Sequence, residues 1–128
     1  MEDSVIIDAD VFIKHWRTKS NRETLFEQLD QQYENLFVSA VAKYEVFVGV
    51  DEKDRDEWNR YFEDVTVLAF DDATIETARG VFRQLKRENK MIDISDILIA
   101  STAMANDLPL ATLNRDHFER IRGLRLVG

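Results

Sequence analysis

Apolar positions along the chain fall into short β-branched runs separated by stretches with helical spacing. Val5-Ile6-Ile7, closed by Asp8, predicts a buried strand, and residues 9–18 a short helix leaving it. Leu25, Phe26, Leu29 and Tyr33 mark one helical face over 21–33, with Asn21, or Thr24 together with Glu27, as the cap. Leu36-Phe37-Val38 predicts a second strand. Ser39 then stands where it caps a helix running to Val48 that Gly49 stops. Residues 51–62 are charged, with Trp58, Tyr61 and Phe62 on one side, which predicts an amphipathic surface helix. Residues 65–69 predict a third strand and 72–89 a long helix with an apolar stripe of Ile75, Ala78, Phe82 and Leu85. A second long helix, 93–106, is apolar almost all round and so more buried. Leu110-Ala111-Thr112 predicts a fourth strand, 116–121 a helical turn and 124–127 a last short strand. Strands alternating with helices predict an α/β fold with a parallel sheet covered on both faces. Such sheets place their sites at the carboxyl ends of strands, near a topological switch point.

Composition narrows the picture. The 128 residues fit one domain, 1–128, with enough apolar content (45%) for a packed core. There is no cysteine, which excludes disulfides, thiolate metal sites and a cysteine nucleophile, and fits a reducing, cytoplasmic setting. No uncharged apolar run exceeds about five residues, so no membrane-spanning segment is expected. The acidic start, Met-Glu-Asp-Ser, lacks the pattern of a signal peptide. A net charge of −8 argues against a general nucleic-acid coat protein.

The candidate chemistry lies in acids that the local sequence does not neutralise. Asp8 ends the first strand, as a helix cap, a functional carboxylate or both, and Asp10 follows in the turn. Glu45 sits in a mostly apolar helix whose positions three and four residues away hold Ala42, Val48, Val41 and Gly49, so no helical ion pair is available. Asp96 likewise has no base at those spacings; Asp93 and Ser95 are candidate caps, and capping is the expected role of Asp93. After the fourth strand, Thr112 to His117 offers a hydroxyl, an amide, the Asp116 carboxylate and an imidazole. His15 and His117 have no zinc-site spacing, and His117 reads as a partly exposed loop residue. Asp8, Glu45, Asp96 and the Asn114/Asp116 segment follow strand ends or open a core helix, so a parallel sheet brings them to one face. Carboxylates gathered there need cations to stay ionised together, and oxygen ligands favour Mg²⁺ or Mn²⁺.

These residues resemble the PIN domain, and within it the VapC-like toxin ribonuclease family. Four segments occur in the family's order: Val5 to Ile13 with Asp8, Ser39 to Gly49 with Tyr44-Glu45, Ile94 to Ala103 with Asp96, and Leu110 to Asn114 followed by Phe118 and Gly123-Leu124. The resemblance implies a three-layer α/β/α sandwich on a central parallel sheet. It also implies a Mg²⁺- or Mn²⁺-dependent endoribonuclease, the toxin of a type II toxin–antitoxin system, leaving 5′-phosphate and 3′-hydroxyl ends on tRNA or rRNA. Asp8, Glu45 and Asp96 carry over as metal ligands and catalytic residues. There are two departures. Asp10 stands where the family usually has Asn or Ser, and the family's fourth acid lies directly before the Phe, where this chain has His117 and, one residue earlier, Asp116. Asp116 is the expected fourth ligand, with a three-acid site assisted by Asn114 as the other arrangement.

A homodimer and a VapB-like antitoxin are the partners implied, docking on the helices that bear Phe26, Trp58, Tyr61 and Phe62. Lys14, Arg17, Lys19, Arg22, Lys86, Arg87, Lys90 and Arg115 are candidates for phosphate contacts. The alternatives are a PIN-like module that binds RNA or protein without cutting, and a phosphoacceptor signalling domain. The latter lacks its expected late lysine, since none follows Lys90. Setting aside Asp8, Glu45, Asp96 and Asp116, 25 less 4 leaves 21 acids against 17 bases, so half the acidic surplus belongs to one pocket.

Overall fold

A computed structural model describes residues 3–18 and 20–128. Lys19, one of the candidate phosphate contacts, lies outside the described residues. The first strand, β1 (Ser4–Ile7), runs into α1 (Ala9–Arg17) through the cap residue Asp8. The next helix, α2 (Leu25–Gln32), opens at Thr24 and not at Asn21. The Thr24 side chain accepts from the Glu27 amide while Glu27 reaches back to the Thr24 amide, a closed capping box. Then come β2 (Asn35–Ser39) and α3 (Ala40–Val48), with the Ser39 hydroxyl capping the Ala42 amide at 2.9 Å and Gly49 ending the helix.

The charged 51–62 stretch is not one helix. A short 3-10 turn, Glu52–Asp54, precedes α4 (Arg55–Tyr61). After β3 (Val65–Leu68), the long α5 (Asp72–Arg87) and α6 (Ile94–Ala105) pack against each other. The chain closes with β4 (Leu110–Ala111), α7 (Arg115–Phe118) and β5 (Leu126–Val127).

All strand pairs are parallel, in the order β3-β2-β1-β4-β5. Parallel crossovers are right-handed. Connections running from β1 out to β3 therefore cover one face, and the connection returning to β4 covers the other. Val5, Ile6 and Ile7 are all fully buried, which only a strand covered on both sides allows. The chain reverses its direction of travel across the sheet at β1, so β1 and β4 flank the switch point.

Two expectations about apolar faces are corrected. The stripe on α5 is rotated: Ile75 and Phe82 are exposed, while Thr74, Val81 and Gln84 point inward with Ala78 and Leu85. Gln84 tolerates burial because its amide donates to the Arg120 carbonyl at 2.8 Å and accepts from the Arg122 amide at 3.1 Å. Nor do Phe26, Trp58 and Phe62 form an exposed surface. All three are buried, with Tyr61 partly so, in an aromatic cluster with Phe12 and Trp16 of α1. Phe12 stacks on Phe62 at 4.6 Å and on Phe26 at 5.4 Å, and Trp16 on Trp58 at 4.8 Å.

These corrections separate two phenylalanines that the sequence treats alike. Phe62→Ala is expected to destabilise the protein by ~3–5 kcal/mol, as for a buried aromatic. Phe82→Ala, on the exposed side of α5, should cost under ~1 kcal/mol. Urea unfolding of both variants measures the difference, and equal losses would place Phe82 in the core.

Candidate active site

The register Ile7↔Ala111 brings the residues that follow, Asp8 and Thr112, side by side at the carboxyl edge of the sheet. The Asp8 amide donates to the Ala111 carbonyl at 2.9 Å, continuing the ladder by one step. Both carboxylate oxygens of Asp8 are engaged: Oδ1 accepts from the Ala9 amide and Oδ2 from the Thr112 hydroxyl, each at 2.8 Å. Asp8 therefore caps α1 and still faces the cleft. The Thr112 hydroxyl in turn accepts from the Asn114 amide at 3.0 Å, which fixes its direction. Asp10, one step into α1, accepts from the Leu113 amide at 3.3 Å. Threonine and backbone thus tie the end of β4 to the start of α1.

A cleft of about 410 Å³ opens above this joint, lined by acids from three elements. Asp8 and Asp10 come from the β1–α1 turn, Glu45 from α3, and Asp93 and Asp96 from the start of α6, with Ser95 and Asn114 between them. Among the described residues, no base lines it. Burial, then the charge of Asp10, pushes the Asp8 carboxyl up to about 7, against the lowering effect of its two hydrogen bonds. Burial also raises Asp10 and Glu45. For Glu45 the charges of Asp96, Asp10 and Asp93 add to the rise, while the Ser95 side chain opposes it.

Of the four acids expected to form the site, Asp8, Glu45 and Asp96 meet in the cleft. Asp116 does not: it is exposed on α7 and is not among the lining residues. The turn of α7 presents His117 instead, whose Nδ1 lies 3.0 Å from both Asp96 Oδ2 and Asn114 Nδ2. A proton on Nδ1 bridges to Asp96; without it, Nδ1 accepts from the Asn114 amide. The histidine is partly exposed, as expected, but it sits on the short α7 and engages Asp96 or Asn114.

Asp93 also departs from expectation. It occupies the cap position of α6, yet its side chain makes no capping bond, and it lines the cleft. Donor atoms of Asp93, Asp96 and His117 lie within 4.8 Å of one another, a spacing suited to holding a metal ion. Sequence spacing placed Asp93 at a helix start but carried no signal for the direction of its side chain. The donors are mostly carboxylate oxygens on hard, anionic groups, with one imidazole nitrogen at the rim. Such a set suits Mg²⁺ or Mn²⁺, the nitrogen being better tolerated by Mn²⁺.

The family described as the PIN domain matches residues 5–124. Among curated relatives, Ribonuclease VapC10 of Mycobacterium tuberculosis is 30% identical over 122 residues, covering 94% of this chain and 90% of the relative. Ribonuclease VapC1 of Methanocaldococcus jannaschii is 27% identical over 128 residues, covering 98% and 88%. Among solved structures, DNA-bound VapBC from Salmonella typhimurium superposes with a TM-score of 0.86 at 20% identity, covering 99% of this chain and 98% of that one. VapBC2 from Rickettsia felis, bound to a promoter DNA fragment, gives 0.84 at 18% identity and covers 97% of each chain. At these identities the two structures establish the shared fold.

The raised Asp8 carboxyl has a definite consequence for stability. Its folded value of about 7 exceeds the ordinary 3.8, so between those values the folded state binds more protons than the unfolded one. Stability of the metal-free protein must then fall as pH rises through that window. In EDTA, the thermal midpoint should be lower at pH 8 than at pH 5. Asp8→Asn should flatten this slope and raise the pH 8 midpoint by ~4 °C or more. A wild-type midpoint that does not change with pH would contradict the burial of this charge.

Proposed function

The chain belongs to the PIN domain family, and from that premise we propose that it is a divalent-metal-dependent endoribonuclease, the toxin of a toxin–antitoxin pair. The observation that supports this most is the cleft at the switch point, where five carboxylates gather with no base among the described residues. Asp8 is buried and Asp10, Glu45 and Asp96 are partly so, and negative charge gathered in this way favours binding of a cation.

Asp8, Glu45 and Asp96 are the residues that would hold the metal, with Asp93 and His117 beside them. When bound, a Mg²⁺ or Mn²⁺ ion supplies neutralising charge for the phosphate and lowers the pKa of water at the site. The chain's own groups do the positioning. The Ala9 amide and Thr112 hydroxyl hold the Asp8 carboxylate in one orientation. The His117 imidazole, protonated on Nδ1, steadies Asp96 from the opposite rim. Asp10 adds negative charge where a neutral residue is usual in the family, which strengthens the demand for cations. The products expected are a 5′-phosphate and a 3′-hydroxyl. Asp8, Glu45 and Asp96 together in the cleft favour a cutting enzyme over the non-cutting alternative.

A second cavity of about 400 Å³ adjoins the cleft, since Ile13 and Glu45 line both. Trp16 and Trp58 give it an aromatic wall, and Glu45, Asp51 and Asp54 outnumber its one base, Arg17. An antitoxin segment with apolar anchors and a basic side chain matches that chemistry. A homodimer contact fits a different surface. Tyr44 and Val48, one turn apart on α3, are 68% and 66% exposed, and Ile94 at the start of α6 is 72% exposed. These replace the aromatic stripes expected from sequence as candidate interfaces.

Incubated with total RNA, the protein should cleave in Mg²⁺ or Mn²⁺ and not in EDTA. Asp8→Asn and Asp96→Asn should each reduce the rate by ~100-fold or more, at the scale of lost electrostatic stabilisation. Full cleavage by both variants, or cleavage that survives EDTA, overturns the assignment. Separately, Tyr44→Asp combined with Val48→Asp should shift a dimer to monomer in light scattering, while unchanged mass places the self-contact elsewhere.

A further inference from the structure

Away from the cleft, the outer side of α5 forms an open groove of about 580 Å³ lined by Arg79, Phe82, Arg83, Lys86 and Arg87. In a chain with net charge −8, a groove lined by four bases and, among the described residues, no acid is a local reversal of sign. The reversal is not cancelled by neighbours. Among the described residues, arginine–carboxylate pairs involve Arg55, Arg115, Arg122 and Arg125, and none involves the four bases of this groove. Glu88, the nearest acid in sequence beyond the groove, is turned away: it accepts from Arg122 Nε at 2.8 Å and from the Gln84 side chain. In the middle of the basic stripe stands Phe82, a large aromatic ring left 44% exposed, with Lys86 Nζ 6.0 Å from its centroid.

The position of the groove matters as much as its charge. Its C-terminal end runs on through the exposed Lys90, and Asp93 of the cleft is only three residues further, at most ~11 Å of extended chain. A polyanion lying along α5 is thereby led toward the acidic cleft. A second copy of the chain is a poor occupant, because a two-fold contact through this face would set the same bases against one another. A ligand that offers repeated negative charge and a planar face matches both the arginines and the ring.

We propose that α5 binds a single-stranded segment of RNA flanking the phosphate held in the cleft, with Arg83, Lys86 and Arg87 on backbone phosphates and Phe82 under an unpaired base. This rests on the nuclease reading above and extends it by naming where the substrate strand lies and in what form. The division of labour is chemical: the acidic cleft meets one phosphate through cations, and the basic helix holds its neighbours directly.

The test uses the full chain, an RNA of about 20 nucleotides that the wild type cuts, and a fragment of about four nucleotides around the cut. The triple variant Arg83→Gln, Lys86→Gln, Arg87→Gln should raise KM for the long RNA at least tenfold, leave kcat unchanged and cut the short fragment as the wild type does. For the same variant, the slope of log affinity against log salt should shrink by about 2, at ~0.7 per lost phosphate contact on a single strand. Phe82→Ala should weaken binding of the long RNA by about tenfold. Binding is measured by fluorescence anisotropy in EDTA, so it is scored independently of cleavage. If the wild type cuts no RNA with metal, the nuclease reading fails, while the anisotropy still tests α5. Wild-type KM and salt slope in the triple variant, with thermal unfolding showing it folded, overturn the proposal. So does a triple variant that keeps RNA binding and loses binding of polyglutamate, which assigns the face to an acidic protein segment.

Discussion

Asp8 sits at the end of a strand that has no exposed face, and the layout of the site follows from how its carboxylate is tolerated there. Parallel pairing in the register Ile7↔Ala111 sets Thr112 beside it, and the first turn of α1 offers the Ala9 amide. Two hydrogen bonds are not enough to offset burial and a neighbouring acid, which is why the carboxyl remains raised. On the other side of β1, β2 ends at Ser39, whose hydroxyl caps α3 and so sets the phase that turns Glu45 to the cleft. The switch point is therefore a place where three strand ends deliver side chains to one spot, and the sheet order makes this unavoidable.

Where the sequence is locally decisive, its reading agrees with the fold. Three successive aliphatic residues before Asp8, the Ser39-to-Gly49 bracket and the Thr24/Glu27 pair each state a local preference that tertiary packing reinforces. Where the deciding contact is distant in sequence, the reading errs. Ile75 and Phe82 have core-like spacing, but Gln84 wins the inward position through the Arg120 and Arg122 backbone, 36 and 38 residues away. Phe62 and Trp58 read as surface residues because their partners, Phe12 and Trp16, belong to another helix.

The candidate site divides along the same line. Asp8, Glu45 and Asp96 are legible because each lacks a local base while sitting in an apolar setting. Asp93 is legible only as a helix start, since a cap position says nothing about whether the side chain folds back on the amide. The exchange of Asp116 for His117 is set by the phase of α7, a four-residue turn whose rotation no periodic pattern can fix. One residue of phase on so short a helix swings a side chain by about 100°, from the cleft to solvent.

Net charge then takes on a different meaning. Read as a total, −8 speaks against a polyanionic ligand. The total, however, averages over two regions that, among the described residues, have opposite sign: a cleft with five carboxylates and no base, and an α5 groove with four bases and no acid. Burial, with the charge of neighbouring acids, raises Asp8, Asp10 and Glu45 and weakens the metal-free fold, so a neutral replacement at Asp8 would stabilise the protein. The same repulsion is what makes the cleft attract cations, and a cleft relieved of it would have no reason to hold them. Stability and cation demand are thus two readings of one electrostatic fact, and a chain optimised for the first would lose the second.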